Sequence, residues 1–185
     1  DTLEERLLGK VKSTWMLEKW MEEETLRSIE SDLDVSPGDV NYRVDLMGWL
    51  LAAGQQVLLT DDVFAEEHLS IIGDIATMVD MLRQRIRHGC KPDLLQLVNI
   101  KNIGRARARE LAGMGIRTPK DVMAMDRPTR NQLLAKRGWG PLLLEKINKE
   151  VEKVLRRPEP SAVPRRAPTH RDDDVPLSDE SSSDN

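Results

Sequence analysis

One short segment of the sequence combines apolar residues, a glycine and arginines at spacings that suit the binding of an anion. Its apolar positions are Leu95, Val98, Ile100 and Ile103, which allow two short helices to close over a small core. Gly104 follows at the start of the second helix, where the absence of a side chain lets a phosphate approach the backbone. The amides of Gly104, Arg105 and Ala106 lack partners within that helix and point outward with the positive end of its dipole. The segment therefore predicts a phosphate site.

Basic side chains are concentrated around this predicted site. Those expected to surround the anion are Lys101, Arg105, Arg107 and Arg109. Residues 85–157 carry 18 basic and 7 acidic side chains, whereas residues 1–84 carry 7 basic and 18 acidic ones. A locally basic segment is typical of a surface that binds nucleic-acid phosphates, and contacts to phosphates carry no direct base information. The alternative interpretation is a solvated helix face rich in arginine.

The same pattern, with Gly115-Ile116-Arg117-Thr118 after it, resembles the helix-hairpin-helix family of sequence-independent DNA-binding modules. The sequence departs from that family at one position, because Asn102 replaces the first glycine of the usual Gly-x-Gly turn. Asparagine is the non-glycine residue best tolerated at positive φ, so we expect the turn to be retained. The alternative is an ordinary helix-turn-helix corner with arginines on its surface.

A degenerate second copy of this pattern follows further along the chain. Its turn is formed by Lys136, Arg137, Gly138, Trp139 and Gly140, with glycines spaced as in the first hairpin. Paired hairpins related by a pseudo-twofold axis would place these residues against DNA as well. The same residues also fit a corner between two helices in which Trp139 fills the core. The sequence leaves both interpretations open.

Helical periodicity accounts for the elements that must position these residues. Long helices are predicted over residues 4–33, 37–59 and 64–88, and shorter ones over residues 92–98, 105–114, a segment after Thr118, 128–137 and 141–155. Ser36 and Thr118 each precede a proline and an aspartate in a pattern typical of a capped helix start. Gly89 occupies the position of a C-terminal helix cap. Because no segment alternates with period two, we predict an all-α fold.

The helix predicted from Pro37 has two distinct faces. The expected core stripe consists of Val40, Val44, Met47, Leu51, Gly54 and Leu58. Trp49 lies about 200° around the helix from Met47, and Tyr42 lies on the same face as Trp49. These two aromatic residues form either a second packing face or a surface on which bases stack.

A set of short motifs in a fixed order resembles the C-terminal part of archaeal HelQ-type superfamily-two DNA helicases, over about residues 10–155. The motifs are Leu17-Glu18-Lys19-Trp20-Met21, Ser36-Pro37-Gly38-Asp39-Val40, Trp49-Leu50, Arg85-Ile86-Arg87-His88-Gly89 and the hairpin. The resemblance implies that the helix from Pro37 lies across a translocating single strand and that Trp49 stacks on a base. The family has an arginine seven positions earlier, where this sequence has Tyr42, while Arg43 points about 100° away.

Motifs for ATP hydrolysis are absent from this sequence. It contains no Gly-x-x-x-x-Gly-Lys-Ser/Thr loop and no acidic box for magnesium, so we expect no enzyme activity and no cofactor in this chain. The resemblance places ATP and magnesium in motor domains outside it. His68, His88, His170 and the lone Cys90 are too scattered to form a metal site. The start at Asp1, without a methionine, suggests an excised fragment.

We therefore predict a helical bundle segment over residues 1–88, a helix-hairpin-helix domain over 89–157 and a disordered acidic tail over 158–185. The expected function is to hold single-stranded or forked DNA within an ATP-dependent helicase of replication-fork repair or recombination. The expected partners are DNA, the motor domains of the same protein and a repair or single-strand-binding protein at the tail. We expect no membrane and a cytoplasmic, nucleoid-associated location. The alternative is a protein-interaction region with a structural hairpin.

Overall fold

The computed structural model describes residues 2–60 and 68–156, apart from the side chain of Leu69. Within these residues every regular element is a helix, which confirms the predicted all-α fold. No helix of the described part is long and apolar enough to cross a membrane. The predicted disordered tail, residues 158–185, lies outside the described residues.

The first part of the chain forms a corner of three helices: α1 (Leu3–Met21), α2 (Leu26–Leu33) and α3 (Pro37–Leu58). Their shared core consists of Met16, Ile29, Leu33 and Val40. The prediction of one helix over residues 4–33 was wrong. α1 ends at Met21 with Glu22 as its C-cap, and Glu23 adopts a positive φ of 72°. The Thr25 side chain then accepts a hydrogen bond from the Ser28 amide to begin α2. The break lets α2 fold back onto α1, which buries Ile29 completely.

The start of α3 follows the capping prediction. Ser36 and Asp39 bond each other's backbone amides, and Pro37 occupies the first turn. The predicted core stripe is only partly correct, because Val40 is fully buried whereas Val44, Met47 and Leu51 are half-buried and Gly54 is exposed. Within the described residues the second half of α3 packs mainly against one neighbour, α4, which cannot enclose it.

α4 (Leu69–His88) runs beside α3 and leads into the second part of the chain. Residues 64–67 of the predicted helix lie outside the described residues. Gln55 of α3 donates a hydrogen bond to the Ala76 carbonyl of α4 (3.2 Å). α4 ends at Gly89, whose left-handed φ of 59° confirms the predicted cap.

The second part of the chain is built from short helices. A 3₁₀ turn (Pro92–Leu94) continues into α5 (Leu95–Val98), followed by α6 (Arg105–Gly113), α7 (Pro119–Met123), α8 (Arg127–Leu134) and α9 (Pro141–Arg156). Thr118 caps α7 in a box with Asp121, as predicted. α8 ends three residues before the predicted Arg137, because residues 135–140 form a turn.

Two separate apolar clusters stabilise the described chain. The first joins residues between 16 and 40, and the second joins buried side chains between Cys90 and Val151. Leu94, Leu97, Leu111, Leu133 and Ile147 are almost completely buried in the second cluster. Burying large aliphatic side chains contributes about 1.5–3 kcal/mol each, so this cluster holds the short helices in place. The boundary at residues 88 and 89 stays a prediction.

Candidate nucleic-acid interface

The turn between α5 and α6, residues 99–104, is here called the first turn. Asn102 has a positive φ of 73°, as predicted for the residue that replaces glycine. The amide of Ile103 donates to the Ile100 carbonyl (3.0 Å), and both side chains are buried, which fixes the turn on the core. Gly104 begins α6 without a side-chain cap, and a Cβ added there would meet no atom within 4 Å. The first amides of α6 are therefore open to a ligand that approaches from solvent.

A shallow cavity of about 510 Å³ lies against this turn. Its polar lining includes Arg87, His88, Lys101, Asn102, Gly104 and Arg107. Lys101 and Arg87 are exposed, and neither forms an ion pair with a described residue. Burial, followed by the charge of Arg87, lowers the pKa of His88, so this imidazole is predominantly neutral near pH 7. The cavity is thus a concave, positively charged surface with open amides.

Arg87 and His88 were not among the residues that the sequence analysis assigned to the anion site. They lie at the C-terminal end of α4, directly before Gly89. The motif that contains them was noted for its resemblance alone, and its position beside the first turn depends on how α4 packs against α5. The sequence does contain a signal for further cations near the first turn, because Arg85, Arg87 and His88 cluster in the last turn of one helix.

Arg107 connects the first turn to the turn between α8 and α9. Its Nη1 donates to the Asn102 carbonyl (3.1 Å), and its Nη2 donates to the Gly138 carbonyl (3.5 Å). The guanidinium also lies 5.9 Å from the centre of the Trp139 ring. A guanidinium has five N–H donors, so these bonds orient Arg107 and leave donors for a phosphate.

Arg105 points away from the cavity, toward the helical corner. Its guanidinium lies 4.0 Å from the centre of the Trp20 ring. It donates hydrogen bonds to the carbonyls of Trp20 (3.4 Å), Gly89 (3.3 Å) and Glu24 (3.1 Å). Burial lowers the pKa of Arg105, and the nearby Glu23 charge opposes that effect. These contacts bind α6 to the α1–α2 corner.

Arg109 lies one helical turn beyond Arg105 on the same face of α6. It donates to Glu23 (Nε–Oε2, 2.8 Å) and to Asp93 (Nη1–Oδ2, 2.7 Å). Hydrogen bonds from Arg109 hold the pKa values of both carboxyls below their usual range, and the two carboxylates raise the pKa of Arg109. Of the four cations expected around the anion, the structure therefore brings Lys101 and Arg107 to the cavity. Arg105 and Arg109 form what we call the junction cluster, together with Trp20, Glu23, Gly89 and Asp93.

The turn of residues 135–140, here called the second turn, repeats the backbone geometry of the first at an offset of 36 residues. Gly138 has a φ of 86°, matching Asn102 at 73°. The Trp139 amide donates to the Lys136 carbonyl (3.3 Å), and the Leu144 amide donates to the Gly140 carbonyl (3.0 Å). The equivalent bonds of the first turn are Ile103 to Ile100 (3.0 Å) and Ala108 to Gly104 (2.9 Å).

The side chain of Trp139 fills the core beneath the second turn. It is 7% exposed, and its Nε1 donates to Glu110. The structure thus combines the features of both interpretations, because the turn has the backbone of a hairpin while Trp139 packs as at a helical corner. The surface of this turn is formed by two exposed residues, Arg137 and Gly138, and two half-buried ones, Lys136 and Gly140. Their role toward DNA stays a prediction.

The aromatic face of α3 is open to solvent. Trp49 is 67% exposed and Tyr42 is 61% exposed, whereas Val40 on the other face is fully buried. The Arg43 guanidinium lies 5.7 Å from the centre of the Tyr42 ring. Among the described residues, therefore, Trp49 is not part of a packed core.

Comparison with known proteins places these features in a family. Residues 1–89 match the model of archaeal helicase, domain 4. The chain is 31% identical over 140 residues to the ATP-dependent DNA helicase Hel308 of Thermococcus kodakarensis, which covers 76% of this chain and 12% of that protein. It is 27% identical over 158 residues to the Pyrococcus horikoshii Hel308, covering 84% of this chain and 21% of that protein. The chain belongs with the C-terminal region of the archaeal superfamily-two helicases.

The relation to archaeal helicases extends beyond the matched domain. α3 and its Trp49 lie inside residues 1–89, whereas the two turns lie after them. An aligned stretch of 158 residues is longer than residues 1–89, so it includes part of the second half as well. A third relative, the Hel308 of Caldivirga maquilingensis, is 32% identical over 119 residues, or 64% of this chain and 15% of that protein. The chain therefore corresponds to an accessory part of a helicase, spanning 12–21% of the length of these three relatives.

Proposed function

We propose that this region holds DNA for an ATP-dependent helicase and grips single-stranded or forked DNA without sequence preference. The observation that carries the proposal is the cavity at Gly104, where open helix amides meet Arg87, Lys101 and Arg107. Amides at a helix start bind phosphate through hydrogen bonds and through the helix dipole. Such contacts position the backbone and do not read bases, so we expect binding through this site not to depend on sequence.

The arrangement around Arg107 supports binding by a prepared site. Because the Asn102 and Gly138 carbonyls already orient its guanidinium, little side-chain entropy is lost when a phosphate binds. The second turn lies next to it and contributes Arg137 and the open backbone of Gly140 as further contacts. Under this proposal the two turns bind neighbouring phosphates, with Arg107 between them.

Trp49 is the second proposed contact and acts on bases rather than phosphates. An exposed indole offers a stacking surface that accepts any base, and a stacked base contributes about 1–3 kcal/mol. Tyr42 lies two turns before Trp49 on the same face of α3. Together with the adjacent Arg43 it would extend this surface. We propose that a single strand passes along α3 while its phosphates are held at the turns.

The remainder of the helicase is the proposed protein partner, and ATP and magnesium would be bound there. α1 carries an exposed apolar stripe that the described chain leaves uncovered: Leu3, Leu7, Leu8, Val11 and Trp15. A large exposed apolar patch marks an interaction surface. A role in replication-fork repair or recombination, an intracellular nucleoid location and a tail-bound repair protein are further parts of the proposal. A protein-interaction role for the whole chain is the competing function, and this stripe favours it.

Fluorescence anisotropy of a labelled single-stranded oligonucleotide tests the proposal. For the wild-type chain, log affinity should fall linearly with log salt concentration, with a slope of about −0.7 per phosphate contact on a single strand. Lys101→Gln/Arg107→Gln should reduce that slope by about 1.4, because two contacts are lost. Arg6→Gln/Lys10→Gln removes the same charge from α1, whose residues do not line the cavity, and should leave the slope unchanged.

The two functions give different results in this assay. Equal slopes for the two double variants would mean that the turns do not bind phosphate, and the DNA-holding function would be rejected. No binding by the wild-type chain, combined with capture of the missing helicase domains through α1, would establish the interaction role instead.

A further inference from the structure

α9 presents a row of basic side chains that do not line the cavity at Gly104. Its members are Lys146, Lys149, Lys153 and Arg156. They recur at intervals of three and four residues, so all four lie within about 80° on one side of the helix. At a rise of about 1.5 Å per residue the row is about 15 Å long. We call it the α9 stripe.

The α9 stripe adjoins the tip of the first turn. The four side chains line a second cavity, of about 500 Å³, together with Lys101 and Asn102. Lys101 and Asn102 also line the cavity at Gly104, so the two cavities meet at these residues. A ligand that passes over the tip of the turn therefore leaves the Gly104 amides and reaches α9 without crossing another element.

Positive charge predominates along this second cavity. Five cations line it, against the two carboxylates of Glu150 and Glu152. Within the described residues Lys146 forms no ion pair, while Lys149 is paired with Glu145 (2.7 Å) and Lys153 with Glu150 (2.7 Å). Arg156 is also paired, with Glu152 (3.6 Å). The cations of these three pairs are about two-thirds exposed or more, whereas Glu150 is only 25% exposed, and ion pairs of exposed cations are weak. A phosphate can displace such partners at little cost.

We propose that the α9 stripe is a second binding track for the sugar–phosphate backbone of DNA. The strand runs from the Gly104 amides across Lys101 and Asn102 and along α9 toward Arg156. This inference rests on the proposed function of the first turn and adds a site and a direction to it.

The test uses the full chain and two labelled single-stranded oligonucleotides, of about 4 and about 16 nucleotides, which are the two ends of the range of common single-strand site sizes. Lys146→Gln/Lys153→Gln should leave binding of the short oligonucleotide unchanged, because it occupies the first cavity alone. For the long one the salt slope should fall by about 1.4, which corresponds to a roughly 25-fold loss of affinity at 0.1 M salt when binding at 1 M is equal. Lys120→Gln/Arg127→Gln removes the same charge from α7 and α8 and should have neither effect.

The variants of the first turn separate this inference from the function on which it rests. If Lys101→Gln/Arg107→Gln weakens both oligonucleotides while the α9 variant behaves like its control, the α9 track is wrong and the proposed function stands. If Lys101→Gln/Arg107→Gln changes neither oligonucleotide, the proposed function fails and the track fails with it. A loss confined to the long oligonucleotide in the α9 variant supports the track.

Discussion

Replacing Gly89 by alanine should disturb the junction cluster more than any comparable glycine change. Gly89 ends α4 at a φ of 59°, and a Cβ added there would overlap the Trp20 ring, at Cε2 and at Cζ2 (2.6 Å). The indole cannot simply move aside, because its Nε1 donates to the Ile86 carbonyl at 2.7 Å and Arg105 lies 4.0 Å from the ring centre. The substitution must therefore displace a ring that two other contacts hold.

Three costs contribute to the expected loss of stability. A left-handed conformation costs a residue with a Cβ roughly 1–2 kcal/mol. Displacing the ring costs about 1–3 kcal/mol as overpacking, and loss of the Trp20 hydrogen bond costs about 0.5–1.5 kcal/mol. We expect Gly89→Ala to lower the free energy of unfolding by roughly 3–6 kcal/mol.

Gly115→Ala is the matched control for this substitution. Gly115 also has a positive φ, of 82°, but an added Cβ there would meet no atom within 4 Å. Gly115→Ala should lower the free energy of unfolding only by the cost of the left-handed conformation, roughly 1–2 kcal/mol. Urea denaturation of both variants measures the difference, which should be roughly 2–4 kcal/mol. Equal losses in the two variants would refute the tight contact between Gly89 and Trp20.

Three further predictions follow from the exposed face of α3 and from the junction cluster. Trp49→Ala should weaken single-strand binding by about 1–3 kcal/mol. Because the ring is exposed, it should change the free energy of unfolding by less than about 0.5 kcal/mol. Normal unwinding and ATPase activity of the full-length helicase with this change would refute the stacking role. Arg109→Gln should destabilise the fold in urea yet leave the salt slope of DNA binding unchanged, since Arg109 is bound to Glu23 and Asp93; a slope reduced by about 0.7 would show that it contacts phosphate. The lowered pKa values of Glu23 and Asp93 contribute stability that is present above their ordinary values of 4.5 and 3.8 and is lost as the pH falls through the lower folded values. Arg109→Gln should flatten the decline of unfolding free energy in acid, and an identical decline in both proteins would contradict this linkage.

Local backbone features could be predicted from the sequence because their causes lie within a few residues. The Ser36 and Thr118 capping boxes, the left-handed Gly89 and the positive φ of Asn102 all follow from neighbouring residues. The break after α1 could not be predicted in the same way. Glu23 adopts its positive φ where its carboxylate bonds the Lys91 amide and Arg109, 68 and 86 residues further along the chain.

The roles of the arginines in α6 also depend on distant residues and could not be predicted from the sequence. Helix geometry alone places Arg105 and Arg109 on one face of α6 and Arg107 nearly opposite, about 200° from Arg105. Which face meets a ligand depends on the position of Trp20 and Glu23, and that position is set by the packing of α1 against α4. The sequence therefore predicted a basic site at the first turn, and the structure separated the cations of the cavity from those of the junction cluster.

The proposed function depends on the binding of a DNA phosphate at the first turn, through the open amides of α6. Titration of the isotope-labelled chain with a single-stranded oligonucleotide, followed by amide NMR spectra, tests it most directly. The largest shifts should occur at the amides of Gly104, Arg105 and Ala106, because these N–H groups gain a charged acceptor. Saturable binding that leaves these three amides unshifted would contradict it.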